Sequence, residues 1–484
     1  MELSSIKNQF QKENDEILKF MLNERFFEPW LEPLNPDFNA KYSMQAESYV
    51  ELYITNKCNQ ACEYCYLYHN DELYPQEVNN KETILTNLEA FYNWVIKNNY
   101  HIARIEMFSG EIWHTELGRE VLDLTARALM SGLACKFFMI ASNGTFIDKD
   151  ETLQPIQSYI DEFRRYGARL QFSLSIDGAV VEEDNRPLNG GAARSENFYD
   201  KVFSFVYHND FSFHPMVAAY SIEKWPENFK WWRKMYQKYG FKSSIHAALM
   251  MLEVRNNDWT EEKIEGYCNF LRVLAKDFYE NECEHDKDLT FARFCISDNV
   301  FDQDYSYLPW TLSRSLERVG CSISDCLTVR LGDLAICPCH RTAYKKNLYG
   351  YFVKNEEGEI VDIVSNNIYF ANRILLANNN LCSVKCDNCL YNPYCIKGCF
   401  GSQIENSKDA FLPIESVCNL LKAKYRTAAE IYEKYGVLDY IKNMSKEDPY
   451  YLVGAEILDF CERVKKESAL EKVREERVAE FEKD

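Results

Sequence analysis

Tyr53-Ile-Thr-Asn-Lys-Cys58-Asn-Gln-Ala-Cys62-Glu-Tyr-Cys65-Tyr66 is the stretch on which the reading of this chain turns. It follows an apolar, strand-like run and puts three cysteines in one loop, spaced Cys-x3-Cys-x2-Cys. Three thiolates this close can each bind one iron of a cubane [4Fe–4S] cluster, and the loop holds no fourth cysteine. One iron of such a cluster keeps an open site, where a ligand and its chemistry can go.

Size and composition support a metal reading of the thiols. A chain of 484 residues suits roughly two or three domains. Its 46% hydrophobic and 14% aromatic content is ample for a large core. No stretch approaches the ~20 apolar residues that cross a bilayer. The start, Met1-Glu-Leu-Ser-Ser-Ile6, lacks a basic region followed by an apolar one. The expectation is a cytoplasmic protein with no membrane partner. Cytoplasmic thiols stay reduced, so the clustered ones among its 18 cysteines read as metal or cluster ligands, not disulfides. A net charge of −20 argues against a nucleic-acid partner, since phosphate binding needs a basic footprint.

From 49 to about 250 strand-like and helix-like runs alternate. Strands are expected at 49–55, 102–108, 136–142, 169–176, 213–220 and 244–251. Helices are expected near 81–98, 116–132, 150–166, 196–209 and 226–239. Alternation of this kind predicts a parallel β/α architecture with right-handed crossovers. Six strands predict a partial (β/α)6 TIM-type barrel, with ligands gathered at the carboxyl ends of the strands. Ahead of it, residues 1–48 read as an amphipathic helical segment (Ile6, Phe10, Ile17, Leu18, Met21) with a Pro-containing aromatic stretch. Residues 251–320 read as a connector, helical at about 260–280 and aromatic around Phe301–Trp310. A second cysteine field occupies 321–420, and 421–484 is a helical, strongly charged tail.

The cysteine loop resembles the signature of radical S-adenosylmethionine (SAM) enzymes, and the strand ends agree. Ile105-Glu-Met-Phe-Ser-Gly-Glu111 stands where that family carries a Gly-Gly-Glu segment contacting the methionyl amino group. Ser109 replaces the first glycine, Gly110 and Glu111 keep register, and Ile112 replaces the usual following proline. Ala141-Ser-Asn143-Gly-Thr145 and Leu174-Ser175-Ile-Asp-Gly178 resemble further family segments. The resemblance implies that Ser175 and Arg186 hold the SAM carboxylate, for which a guanidinium fork is well shaped. It places Tyr64 near the adenine and Asn143 among the cofactor contacts. An anchoring role in its own loop is the plainer reading of Arg186, and shielding of iron from water that of Tyr64.

Farther on, Cys386, Cys389, Cys395, Cys399 and Cys418 have the spacing Cys-x2-Cys-x5-Cys-x3-Cys…Cys, with Cys321, Cys326, Cys337 and Cys339 upstream. This resembles the SPASM extension of radical SAM peptide maturases, which implies two auxiliary [4Fe–4S] clusters and three in all. Carried over, Cys386, Cys389, Cys395 and Cys418 hold the distal cluster. Cys399 joins Cys321, Cys326 and either Cys337 or Cys339 on the other, with Pro338-Cys339-His340-Arg341 favouring Cys339. Four cysteines at short spacing also suit zinc.

For function, the resemblance implies modification of a ribosomally made precursor peptide, by thioether or carbon–carbon crosslinking. Epimerisation and sulfatase-type Cys or Ser oxidation are the alternatives. The sulfatase-maturing branch has an aspartate base after the Pro-Cys pair; here His340 stands there as a candidate base, with Asp177, Glu253 and Asp333 unranked. A reductase such as flavodoxin or ferredoxin is the implied electron donor. Against the leader-binding domain that the resemblance implies for many peptide maturases, the 48 residues ahead of the barrel are expected to be too few. A radical enzyme acting on a small metabolite and a non-catalytic iron–sulfur electron-transfer scaffold are the remaining readings. The scaffold predicts no 5′-deoxyadenosine.

Overall fold

A computed structural model describes residues 48–69, 80–114, 117–241, 251–254, 258–282, 326–337, 339–343, 350–365, 386, 388–395, 398–407, 412–448 and 451–481. The N-terminal helical segment, the Phe301–Trp310 stretch, Cys321 and most of the strand expected at 244–251 lie outside these residues.

The expected parallel strands form: β1 (Ser48–Tyr53), β2 (His101–Phe108), β3 (Ala134–Ser142) and β4 (Arg169–Leu174), paired in sequence order. Helices α1 (Lys81–Lys97), α2 (Leu117–Met130), α3 (Asp150–Arg165) and α4 (Phe198–Asn209) alternate with them. Local chemistry sets their limits. The Asn80 side chain caps α1 by accepting from Thr83 N, and Asp210 ends α4 in the left-handed conformation.

The last two expected strands differ. The run at 213–220 is divided into β5 (Ser212–Phe213) and β6 (Met216–Val217), and the chain then turns into a 3₁₀ helix at Ala219–Lys224. Pro215 lies at the break and has no N–H to give a ladder. The Met216 N–H is taken up by the Asp177 carboxylate at 2.7 Å, and β6 pairs β7 (Met251–Leu252) in a separate two-stranded sheet. Among the described residues closure into a barrel is not seen; the core is a mixed α/β sheet with parallel strands at its centre.

That sheet also grows on its other side. β8 (Cys326–Arg330) runs parallel to β1, followed antiparallel by β9 (Ala335–Cys337), β10 (Gly350–Lys354) and β11 (Ile360–Ser365). Among the described residues the order is β11-β10-β9-β8-β1-β2-β3-β4-β5. The chain divides into two compact units: residues 1–175, 187–212 and 322–377, and residues 176–186, 213–321 and 378–484.

Alternation assigns the faces of the first unit's sheet. Val50, Leu52, Ile105, Met107, Phe138, Ile140, Phe172 and Leu174 are buried and share one face, where Phe163 of α3 meets Phe138 edge-on at 5.1 Å. The opposite face carries Tyr49, Glu51, Arg104, Glu106, Phe108, Met139 and Gln171. The second unit is built on α5 (Trp225–Tyr239), α6 (Glu261–Asp277), α7 (Phe400–Ser407), α8 (Glu415–Lys434) and α9 (Tyr451–Phe481). Its core includes Trp225, Trp232, Tyr425 and Phe460. No helix among the described residues is long and apolar enough to cross a membrane.

Candidate functional site

The three-cysteine loop leaves the carboxyl end of β1 and is tied to the ends of its neighbours. Glu111 N donates to Lys57 O at 2.8 Å, binding the loop to the end of β2. Asn143, after β3, donates through Nδ2 to Asn59 Oδ1 at 2.7 Å and lies 3.8 Å from Cys58 Sγ. Ser175 N, after β4, donates to Ser142 O at 2.8 Å. Segment 187–189 closes the loop's other side: Ala61 N donates to Pro187 O and Asn189 N to Asn59 O, both at 2.9 Å.

The turn after β2 shows why its residues are small. Ser109 and Gly110 both have positive φ, 75° and 55°. A Cβ on Gly110 would lie 2.6 Å from Thr55 O and closer still to Lys57 O. Ser109 holds its unfavourable conformation with its hydroxyl, which accepts from Ile54 N at 3.2 Å and donates to Phe108 O at 2.5 Å. Glu111 is buried and acts as a clasp. Its carboxylate accepts from Asn143 N at 2.7 Å, Ser142 Oγ at 3.0 Å and Trp113 N at 3.2 Å.

These residues fit a cluster by the chemistry of their donors. The Cys58 sulfur has two N–H groups near it, Gln60 N at 3.4 Å and the Asn143 amide, as suits an anionic thiolate. Cys62 is buried, and Cys58 and Cys65 are half-buried. Among the described residues no three His, Cys, Asp or Glu side chains converge on the position of a single ion. Thiolates of a cubane each bind a different iron and are spread around it, so convergence on a point is not what this site requires.

Of the other residues expected in the site, Tyr64 is buried in the same loop. Arg186 belongs to the second unit, buried, with Nε 3.6 Å from a Glu182 oxygen. Asp177 is wholly engaged in structure: its carboxylate takes Met216 N at 2.7 Å and Asn185 Nδ2 at 3.0 Å. Asp333 pairs with buried Arg330 through both oxygens, at 2.9 and 2.5 Å. Glu253 is buried in the second unit.

His340 has a partner that sequence reasoning missed. Strand register lines up Thr328, Glu51, Glu106, Met139 and Gln171 across five strands. Glu51 Oε2 accepts from Thr328 Oγ1 at 2.6 Å and His340 N at 3.0 Å, and lies 3.2 Å from His340 Nδ1. The imidazole stacks on Phe108 with centroids 4.6 Å apart and meets Tyr66 at 5.7 Å, so it sits between residues adjoining Ser109 and Cys65. Charged residues alternating with apolar ones inside core strands, Glu51 in β1 and Arg104 and Glu106 in β2, were the signal available.

Burial works to raise the Glu51 pKa, but the charge and hydrogen bonds of His340 and the Thr328 hydroxyl bring it from 4.5 to about 2. A folded value below the unfolded one means stability fully present above about pH 4.5 and lost as pH falls toward 2. At about 1.4 kcal/mol per pH unit this is worth on the order of 3 kcal/mol. Glu51→Gln is expected to flatten acid unfolding across that window, measured as urea midpoints between pH 6 and 3. Equal acid sensitivity in both proteins would contradict the assignment.

Of the upstream cysteines, Cys337 is buried among Tyr53, Leu67, Ala335, Ala343 and Tyr351, and burial pushes its thiol up to about 12. Cys339 is half-buried at the start of a 3₁₀ turn, its sulfur 3.5 Å from Thr342 Oγ1. Cys326 opens β8 opposite Tyr49. In the second unit Cys386, Cys389, Cys395, Cys399 and Cys418 all line one cavity of about 190 Å³. Five thiols from separate segments around one space are a donor set suited to an iron–sulfur cluster.

No protein-family model and no curated protein matches the chain. Solved structures do. Native anSMEcpe with bound AdoMet aligns at a TM-score of 0.51 and 14% identity, over 81% of this chain and 99% of its own. Its hexahistidine-tagged form with bound AdoMet aligns at 0.52 and 14%, over 85% and 98%. Streptococcus suis SuiB bound to S-adenosylmethionine gives 0.41 at 11% identity over 77% of both chains. The chain shares the fold of these two AdoMet-bound structures, with its three-cysteine loop at the carboxyl ends of the parallel strands.

Proposed function

We propose that this protein is a radical SAM enzyme that crosslinks a ribosomally made precursor peptide. The observation that carries the reading is the Cys58, Cys62 and Cys65 loop, set at the end of β1 in a fold shared with AdoMet-bound structures. A [4Fe–4S] cluster held there would supply the electron that splits SAM into methionine and a 5′-deoxyadenosyl radical.

The chain's own part is placement. The Gly110 turn and the Glu111 clasp set the loop against the ends of β2 and β3. The row of Glu51, Glu106, Met139 and Gln171, the first three buried, is assigned to the substrate's side of the sheet. Holding a target carbon close to the reacting centre and excluding water are what such a face contributes. Ser175, Asn143 and Tyr64 are assigned to SAM. The cavity in the second unit is assigned to an auxiliary cluster on Cys386, Cys389, Cys395 and Cys418. A flavodoxin- or ferredoxin-type reductase in the cytoplasm is the assigned electron source.

The test is anaerobic incubation of the reconstituted protein with SAM, dithionite and the precursor peptide encoded beside its gene. The expected result is 5′-deoxyadenosine and a peptide lighter by two hydrogens that resists reduction and alkylation. No 5′-deoxyadenosine would overturn the proposal. A second reading, oxidation of a Cys or Ser side chain, draws on the Glu51–His340 pair: a carboxylate-oriented imidazole takes the place of an aspartate base. It predicts a product that reacts with an aldehyde probe.

A further inference from the structure

The cavity lined by Cys386, Cys389, Cys395 and Cys418 carries two charged side chains among its described lining residues, Lys422 and Glu467. Lys422 is four residues beyond Cys418 on α8, so the two share one helix face. Its Nζ is held 2.9 Å from Glu471 Oε1, and its side chain is 23% exposed, which limits solvent screening. Glu471 does not cancel this charge alone, because it also pairs with Arg426 at 2.5 Å. Glu467, on α9, is buried, its Oε2 accepting from Leu390 N at 3.4 Å.

We infer that the Lys422 ammonium raises the potential at which the cluster in this cavity takes up an electron, with Glu467 acting in the opposite sense. The inference depends on the auxiliary-cluster reading of the cavity given above. An added electron is an added negative charge, and a fixed cation at the cavity wall stabilises the reduced form more than the oxidised one. Net charge and solvent exposure are the means by which a protein sets cluster potentials. The position therefore asks for a cation, not for lysine itself.

The experiment is a potentiometric titration of the anaerobically reconstituted full chain, followed by EPR. The signal to follow is the one lost in Cys395→Ala. If Cys395→Ala loses neither iron nor any signal, the cluster reading of the cavity fails and the inference falls with it. With that signal assigned, Lys422→Gln is expected to lower the ratio of reduced to oxidised cluster at fixed poise about tenfold, which for one electron is ~59 mV. Lys422→Arg should keep the wild-type value, and Glu467→Gln should raise the ratio. A full iron complement with wild-type potential in both Lys422→Gln and Glu467→Gln would overturn the inference while leaving the cluster reading intact. Should Lys422→Gln not fold, Glu467→Gln alone decides the question by the sign of its effect.

Discussion

Replacing Cys58, Cys62 or Cys65 by alanine is expected to abolish 5′-deoxyadenosine formation, a loss on the order of a thousandfold or more, while the fold persists. The reason is coordination number. With three thiolates the cluster has one iron open to SAM; with two it has no stable seat on this loop. The loop itself is anchored by backbone contacts that these substitutions leave alone, Glu111 N to Lys57 O and Ala61 N to Pro187 O. Circular dichroism should therefore be unchanged while iron falls by about four atoms per chain. Cys135→Ala is the control. That thiol is buried in β3, away from the loop, and its removal should cost about 1 kcal/mol of packing with SAM cleavage intact. Equal loss of cleavage in Cys135→Ala and Cys58→Ala would sink the assignment.

Gly110→Ala is expected to cost about 2–5 kcal/mol and to disable the same site. Two terms add: about 1–2 kcal/mol for a Cβ at φ +55° and about 1–3 kcal/mol for forcing it against neighbours. The obstructing atoms are backbone carbonyls of Thr55 and Lys57, which cannot swing aside as a side-chain tip would. Relief must come from moving the start of the cysteine loop, which breaks the Glu111 N to Lys57 O bond and shifts Cys58. Ser109→Gly provides the contrast. It relieves strain at φ +75° but gives up two hydrogen bonds of its hydroxyl, and the near-balance predicts less than about 1 kcal/mol in either direction. Urea denaturation of the three proteins, with iron content, separates these outcomes. A Gly110→Ala protein as stable and as iron-rich as wild type would show that the turn does not hold the loop.

Periodicity and spacing decide features that are local in the chain. The four parallel strands, the helices between them and the cysteine loop at the end of β1 were all legible in the sequence, because alternation, helical spacing and ligand spacing act over a few residues. The divided strand at 213–220 was legible in part: Pro215 was visible, but the Asp177 carboxylate that receives the Met216 N–H comes from 39 residues away. What only the tertiary structure decides is pairing between distant segments. β8 extends the sheet from β1, and Thr328 and His340 thereby reach Glu51, separated from it by 277 and 289 residues. Five cysteines from separate turns and α8 come to face one cavity with Lys422 and Glu467. Nothing in a local pattern specifies such meetings. They follow from strand register and helix packing, where burial of the whole apolar face selects one arrangement and carries the polar residues to their partners.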